Sequence, residues 1–375
     1  MKKILALVLA LCMVLSLAAC GASKPAETPA ETPVETPAET PTETPAEKPV
    51  LYVANWQGYC SDEPYAEQAF EELYNCEVEH VYFNTLEELF TTLQTGGVGN
   101  IDAVCSTNNY TKAYMDAGLL QPIDLSKCPN YADVAEDYLA KDSCYDADGN
   151  CYGLPWVWSI NYLGYNGDLV DRELNSWSDI WDDEFAGKVG IGDDYVIFMM
   201  MTAMALGMEP SSVENIDLEK VEAALIDLKP NVNVIWSSYD EFISPYNSGE
   251  VVIGDPWCGM ATTLRNAGAN IKYVPPVEGT VGTVDMWSVV KGSKNYDLAV
   301  AWCDFMCGVE FQTAMATAEG NAHNPVNTKV IASLTPEQLD VLWCNPMPEN
   351  IYMILALDDA QKEAWSEIWN YFKAY

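Results

Sequence analysis

The sequence predicts an α/β protein of two lobes with a cleft between them. Apolar strand-like runs alternate with amphipathic helical ones along most of the chain, and one α/β unit is completed before a second begins. The chain then returns through a late strand carrying a single carboxylate and an indole, as a two-lobed molecule requires. Aromatic and polar residues collect where the predicted strands end, which is where open α/β sheets hold their ligands.

The first elements precede the fold. Lys2 and Lys3 lead an apolar run from Ile4 to Leu17, and Leu17-Ala18-Ala19-Cys20 places small residues at a cleavage point, so residues 1–19 read as an export signal. The run is too short for a comfortable membrane span. Residues 20–49 nearly repeat Glu-Thr-Pro-Ala, with Glu at 27, 31, 35, 39, 43 and 47. Proline at every fourth position blocks helix and sheet, and the like charges repel, so this stretch is expected to be an extended tether.

The first unit reads as a strand from Val50 to Trp56, a helix from Glu63 to Tyr74, a strand from Glu77 to Phe83, a helix from Leu86 to Gln94, and a strand from Ile101 to Cys105. Trp56 ends its first strand, with Gln57 and Tyr59 just beyond, and Ser106, Thr107 and Asn108 follow its third. The second unit takes helical residues 180–185, a strand from Lys188 to Ile191, and helices from Val196 to Leu206 and Leu218 to Leu228. A strand from Val232 to Trp236, a helix from Tyr239 to Asn247 and a strand from Val251 to Gly254, ending in Asp255 and Trp257, follow. In the stretch from Glu278 to Val290, alternation puts Asp285 and Trp287 on one face, and a carboxylate beside a π-face suits an ammonium group. A helix from Val300 to Met306, a turn at Gly320 to Pro325 and helices from Pro336 and Asp358 close the chain. Residues 50–157 with 285–330 are assigned to one lobe, and 158–284 with 331–375 to the other.

Composition narrows the function. Setting aside the four lysines and six glutamates before Val50 leaves 14 basic residues against 50 acidic, a formal charge of −36. That field is hostile to nucleic acid and to anionic ligands, and two arginines, Arg172 and Arg265, are a poor kit for clamping phosphate. Ten cysteines remain beyond Cys12 and Cys20. Cys144 and Cys151 flank a polar turn that would bring them within bridging reach, and buried free thiols are expected for most of the rest. With His80 and His323 the only histidines, neither a metal site nor a Cys-His or Ser-His catalytic pair is supported. A carboxylate pair of the glycosidase kind among Asp193, Asp194, Asp255 and Asp285 is the enzymatic alternative, and no spacing favours it.

An ordered series of segments goes further: Leu51 to Tyr59, Asp102 to Thr107, Gly118 to Asp124, Tyr152 to Trp158, Asn175 to Trp181, Gly187-Lys188-Val189 with Asp193-Asp194, Ile253 to Gly259, and Glu278 to Asn295. In these the chain resembles bacterial extracellular solute-binding proteins of the spermidine/putrescine ABC transporter family. The resemblance implies a periplasmic-binding fold (type II-like) that closes over a cationic or amine-bearing ligand and delivers it to permease subunits without catalysis or cofactor. It implies ligand contacts at Trp56, Ser106, Thr107, Asp194, Trp257 and Asp285, to which Gln57, Tyr59, Asn108, Asp255, Trp287 and Asn321 are added as neighbours. The Cys at the cleavage point resembles a lipoprotein signal, which makes Cys20 the lipidated residue of a monomeric, membrane-anchored receptor facing outward. The pattern also departs from the family. Gly58 and Ile197 stand where acidic residues are usual, Asn108 and Asn321 where aromatic ones are, and Thr283 where a Trp is. Those departures leave a polyamine or another amino compound (opine, betaine or thiamine-like) as the expected ligand.

Overall fold

The computed structural model describes residues 48–319, 323–345 and 349–375. The export signal, Cys20, most of the tether and Asn321 lie outside the described residues.

Two sheets organise the described chain. The first has the order β11-β4-β10-β3-β1-β2, with β12 also pairing β10. Its strands are β1 (Val50–Asn55), β2 (Glu77–Tyr82), β3 (Ala103–Thr107), β4 (Leu154–Ile160), β10 (Thr280–Val289), β11 (Asn324–Pro325) and β12 (Ile351–Met353). The second has the order β7-β6-β8-β5-β9, from β5 (Leu163–Asn166), β6 (Val189–Gly192), β7 (Val232–Trp236), β8 (Ile253–Gly254) and β9 (Ile271–Val274). The parallel arrangement expected from strand-helix alternation holds for β1 with β2 and β3, and for β6 with β7 and β8. It fails at β10, which runs antiparallel to β3 and β4, and at β5, antiparallel to β8 and β9, so both sheets are mixed. The reason is connectivity: β5 and β10 each enter straight from the other sheet rather than through a crossover helix, which a parallel return would need.

The chain passes between the sheets at residues 161–162 and 275–279. The boundaries read from sequence, after 157 and before 285, fall inside β4 and β10, whose pairing continues through Ser159 with Thr283 and Ile160 with Gly282. At these passages the Asn161 amide donates to the Val281 carbonyl at 3.1 Å. The Tyr273 hydroxyl bridges Ile160 and Tyr162, donating to the Ile160 carbonyl at 3.0 Å and accepting the Tyr162 amide at 3.2 Å. The Glu-Gly turn before β10 is a structural tie. Glu278 accepts the Trp177 amide at 3.2 Å, and the Gly279 carbonyl accepts the Trp177 indole N–H at 2.9 Å. Gly279 has φ 106°, and a Cβ there would meet Asn350 at 2.9 Å, so only glycine makes this turn without strain.

Packing explains why the elements form. Under one face of the first sheet lie Phe70, Trp156, Trp287, Trp302 and Phe311; over the other lie Phe83, Leu89 and Tyr114. The helix Tyr195–Ala205 is apolar on every side because it is enclosed, with Val196 to Met204 all buried, between the second sheet and the helices Leu218–Leu228 and Asp359–Ala374. Two expected elements change character: residues 180–185 form parts of two 3₁₀ turns, and the helix predicted from Glu63 starts at Glu67. Cys144 and Cys151 are reduced in this structure, contrary to the bridge expected from the turn: none of the ten described cysteines is in a disulfide, and all are buried.

Candidate ligand-binding cleft

A cleft of about 2130 Å³ is lined by residues of both sheets and their connecting loops. Strand ends build the first wall. Trp56 and Gln57 follow β1, Thr107 ends β3, and Asp285 in β10 is the register partner of Thr107. Asp285 is 6% exposed. Its Oδ2 accepts the Tyr59 hydroxyl at 2.6 Å. Burial pushes its carboxyl up to about 6, against the opposing pull of the Tyr59 hydrogen bond. Tyr59 is itself wedged against Trp56 (ring centroids 5.3 Å apart), Trp156 (5.5 Å) and His323 (4.4 Å). Burial pushes His323 down to about 4, so a neutral imidazole faces the cleft at neutral pH.

Helix starts build the second wall. Asp194 follows β6 and caps the helix Tyr195–Ala205, accepting the amides of Val196 at 3.0 Å and Ile197 at 3.1 Å. Burial raises its carboxyl pKa while these two amides pull it down. Its neighbour Asp193 turns away to the C-terminal helix, where it accepts from the Trp369 indole at 2.6 Å and Lys373 at 2.9 Å. Asp255, after β8, is buried with Oδ1 accepting the Gly192 amide at 2.9 Å, and burial holds its carboxyl well above the usual range. Trp257 is 40% exposed to the cleft and stands edge-on to Trp236, 4.9 Å away.

Three residues expected in the site do not line it. Trp287 shares a strand face with Asp285, but two residues along a strand is about 7 Å. That step takes it off the cleft rim and into the core between Trp156 (6.0 Å) and Trp302 (5.5 Å). Ser106 is fully buried against the Thr111 hydroxyl at 2.8 Å. Asn108 is also buried, donating to the Ile354 carbonyl at 3.2 Å and accepting the Val284 amide at 3.3 Å, so it ties backbone segments together. Other lining residues went unread in the sequence. Tyr239 starts a helix just past β7 and obeys the same strand-end rule that found Trp257. Glu87 and Tyr110, hydrogen-bonded to each other, sit on helices whose periodicity gave no sign of a cleft.

Charge in this cleft is one-sided. Ten described lining residues are Asp or Glu and two are lysines, Lys112 and Lys362. Both lysines are taken, by Asp116 and Asp359. Among the described residues no Lys or Arg forms an ion pair with Asp194, Asp255 or Asp285. Buried carboxylates without a cationic partner are costly, and a bound cation would remove that cost.

The model of a family described as bacterial extracellular solute-binding protein matches residues 66–339. The chain belongs to that family. This solute-binding protein is 29% identical over 302 residues to the spermidine/putrescine-binding periplasmic protein of Escherichia coli (strain K12), spanning 80% of this chain and 84% of that one. It is 26% identical over 349 residues to the putrescine/cadaverine-binding protein of Pseudomonas aeruginosa, spanning 86% and 93%. Its fold matches the spermidine/putrescine ABC transporter substrate-binding protein of Streptococcus pneumoniae with a TM-score of 0.75 at 23% identity, covering 88% and 99%. The two-sheet α/β architecture expected from the sequence is therefore that of a periplasmic binding protein. Within it, this solute-binding protein spends Thr283 on a hydrogen bond to the Ser159 hydroxyl at 2.6 Å and presents Ile197 to the cleft beside Asp194.

Proposed function

We propose that this protein captures a small cationic amine, spermidine- or putrescine-like, and delivers it to the transmembrane subunits of an ABC importer. A lipid on Cys20 and the Glu-Thr-Pro tether would hold it as a monomer at the outer face of the membrane. The observation that carries this reading is the cleft carboxylates of Asp194, Asp255 and Asp285, with no lysine or arginine ion pair among the described residues, set beside Trp56 and Trp257. Ammonium groups supply the missing charge, and the indole faces attract the cation while covering its methylene chain. The named ligands of the relatives above support the same chemistry.

The cleft is larger than the roughly 300–1,000 Å³ of a site fitted around a small molecule. Capture therefore proceeds by closing the lobes about residues 161–162 and 275–279. Asp285 comes from one lobe and Asp194, Asp255 and Trp257 from the other, so both sets are satisfied together only in the closed state, and the ligand's binding energy drives closure. The cleft holds and releases; it catalyses nothing.

Isothermal titration with putrescine, spermidine and a panel of neutral sugars tests the assignment, with small-angle scattering on the same samples. Amine binding with a smaller radius of gyration at saturation is expected. Binding of a sugar but no amine would overturn the reading, and an unchanged scattering profile would overturn the closure. Native mass spectrometry of gently purified protein identifies a retained ligand, including an opine or betaine if one of these is the true cargo.

A further inference from the structure

A second chemical site lies away from the cleft, around Cys144 and Cys151. Cys144 ends the short helix Lys141–Cys144, and Cys151 follows a turn that closes on itself. Asp146 accepts the amides of Asp148 at 3.0 Å and Asn150 at 2.9 Å, and the Tyr152 amide donates to the Cys144 carbonyl at 2.8 Å. Tyr145 and Cys151 face each other as an antiparallel bridge. The two thiols are buried within hydrogen-bonding reach of each other, with Cys144 also donating to the Leu139 carbonyl at 3.2 Å and Cys151 to the Gly153 carbonyl at 3.3 Å. Over them the hydroxyls of Tyr131 and Tyr145 meet at 2.9 Å, within hydrogen-bonding reach of the Cys151 sulfur. Cys151 further lies in the wall of a surface pocket of about 450 Å³, beside Asn150, Ser126 and Tyr296.

We propose that Cys144 and Cys151 are a redox-active pair that closes an intramolecular disulfide when the protein meets a small-molecule disulfide outside the cytoplasm. Cys151 is the attacking sulfur. It lines the surface pocket, whereas Cys144 is fully enclosed behind it, and hydrogen bonding with Cys144 and the phenol pair pulls its thiol pKa down against the burial that raises those of Cys303 and Cys307. Its thiolate attacks one sulfur of the oxidant, breaking that S–S bond and expelling one thiolate. Cys144 then loses its proton and attacks the Cys151 sulfur, expelling the second half of the oxidant as a thiol. One disulfide forms in the protein, and the oxidant is reduced to two thiols. The closed loop, residues 144–151, is short and already folded back on itself, so bridging fixes a turn that exists rather than rebuilding it.

Treating the reduced, full-length protein with oxidised glutathione and mapping its peptides without reduction tests this. The expected result is a Cys144–Cys151 crosslink, 2 Da lighter than the dithiol, formed before any other of the ten thiols reacts, with a thermal midpoint raised by roughly 5 °C. Cys144→Ala is expected to stop at a mixed disulfide, with one glutathione on Cys151. Tyr145→Phe, which keeps the ring, is expected to slow the reaction severalfold. Ten unreacted thiols, or a different pair oxidised first, would overturn the proposal. So would glutathione on some other cysteine in the Cys144→Ala protein. None of these outcomes depends on which amine the cleft binds.

Discussion

The two walls of the cleft hold their carboxylates by different means. On the first, Asp285 sits within a strand, walled by aromatic rings, and its oxygen is fixed by one side chain, the Tyr59 phenol at 2.6 Å. On the second, Asp194 and Asp255 are fixed by backbone amides, those of Val196, Ile197 and Gly192. A carboxylate held by a side chain can be retuned without disturbing the fold. A carboxylate that caps a helix is part of the fold, and the helix N-terminus stabilises its charge. The first wall is therefore the place to set affinity, and the second couples affinity to stability.

The largest separation of the two walls comes from Asp285→Asn and Asp194→Ala. With a desolvated ammonium partner, Asp285→Asn is expected to cost roughly 2–4 kcal/mol of putrescine binding, on the order of thirtyfold to a thousandfold, with thermal unfolding nearly unchanged. Asp194→Ala is expected to weaken binding and also to remove about 1 kcal/mol of stability as the cap is lost. Titration and melting of both proteins check this. Loss of the folded state by Asp285→Asn, with Asp194→Ala thermally silent, would reverse the assignment.

The next effect is pH. In the empty protein the Asp285 carboxyl titrates near 6, above its unfolded value, so the folded state binds more protons between the two values. This group's contribution to stability is present below the unfolded value and lost as pH rises through about 6. Binding runs the other way, because an ammonium needs the carboxylate. Putrescine, protonated throughout, is expected to lose up to about tenfold in affinity for each pH unit below about 6, with Asp194 and Asp255 steepening the fall. Asp285→Asn removes the Asp285 share of that slope; a profile that rises toward acid would contradict it.

Ile197 carries a third prediction, of about tenfold. It sits buried at the cleft edge beside Asp194, and a carboxylate there would add a partner for the distant charge of a long polyamine. Ile197→Glu is expected to shift preference from putrescine toward spermidine by about an order of magnitude, read by titrating both. Equal weakening of both ligands together with a lowered melting temperature would mean that Ile197 only packs. Gly58, the other position lacking an acid, is a poorer test because its φ of 72° strains any side chain.

Much of this was legible in the sequence because strand ends announce themselves: Trp56, Gln57, Tyr59, Thr107, Asp194, Asp255, Trp257 and Asp285 all line the cleft where an apolar run gives way or a helix begins. What alternation could not supply was depth. It placed Trp287 on the same face as Asp285, but not on which side of the rim, since that depends on where the covering helix Tyr296–Phe305 lies. Asn108 was misread for a related reason. Its role is set by Ile354 and Val284, far away in sequence, and a polar residue after a strand looks the same whether it meets ligand or backbone. The mixed direction of the first sheet was hidden because the return of β10 from the second sheet is a tertiary event.

Tyr59 gives the smallest effect and the finest test of the difference between the walls. Its hydroxyl donates to Asp285, and its ring is locked by Trp56, Trp156 and His323 whether or not the hydroxyl is present. Tyr59→Phe therefore subtracts one hydrogen bond and little packing, so putrescine affinity at neutral pH is expected to fall only about threefold to tenfold, on the order of 0.5–1.5 kcal/mol. The more telling readout is the pH profile. The hydroxyl favours the charged carboxylate and holds its pKa down against burial, so its removal lets the midpoint of the binding profile move above about 6. Asp194 has no equivalent hydroxyl to remove, because its carboxylate is held by the backbone amides of Val196 and Ile197. A hundredfold loss of affinity with an unmoved midpoint would mean that the Tyr59 hydroxyl meets the ligand directly and does not tune Asp285. A midpoint that moved down would mean that Asp285 is not the group that titrates.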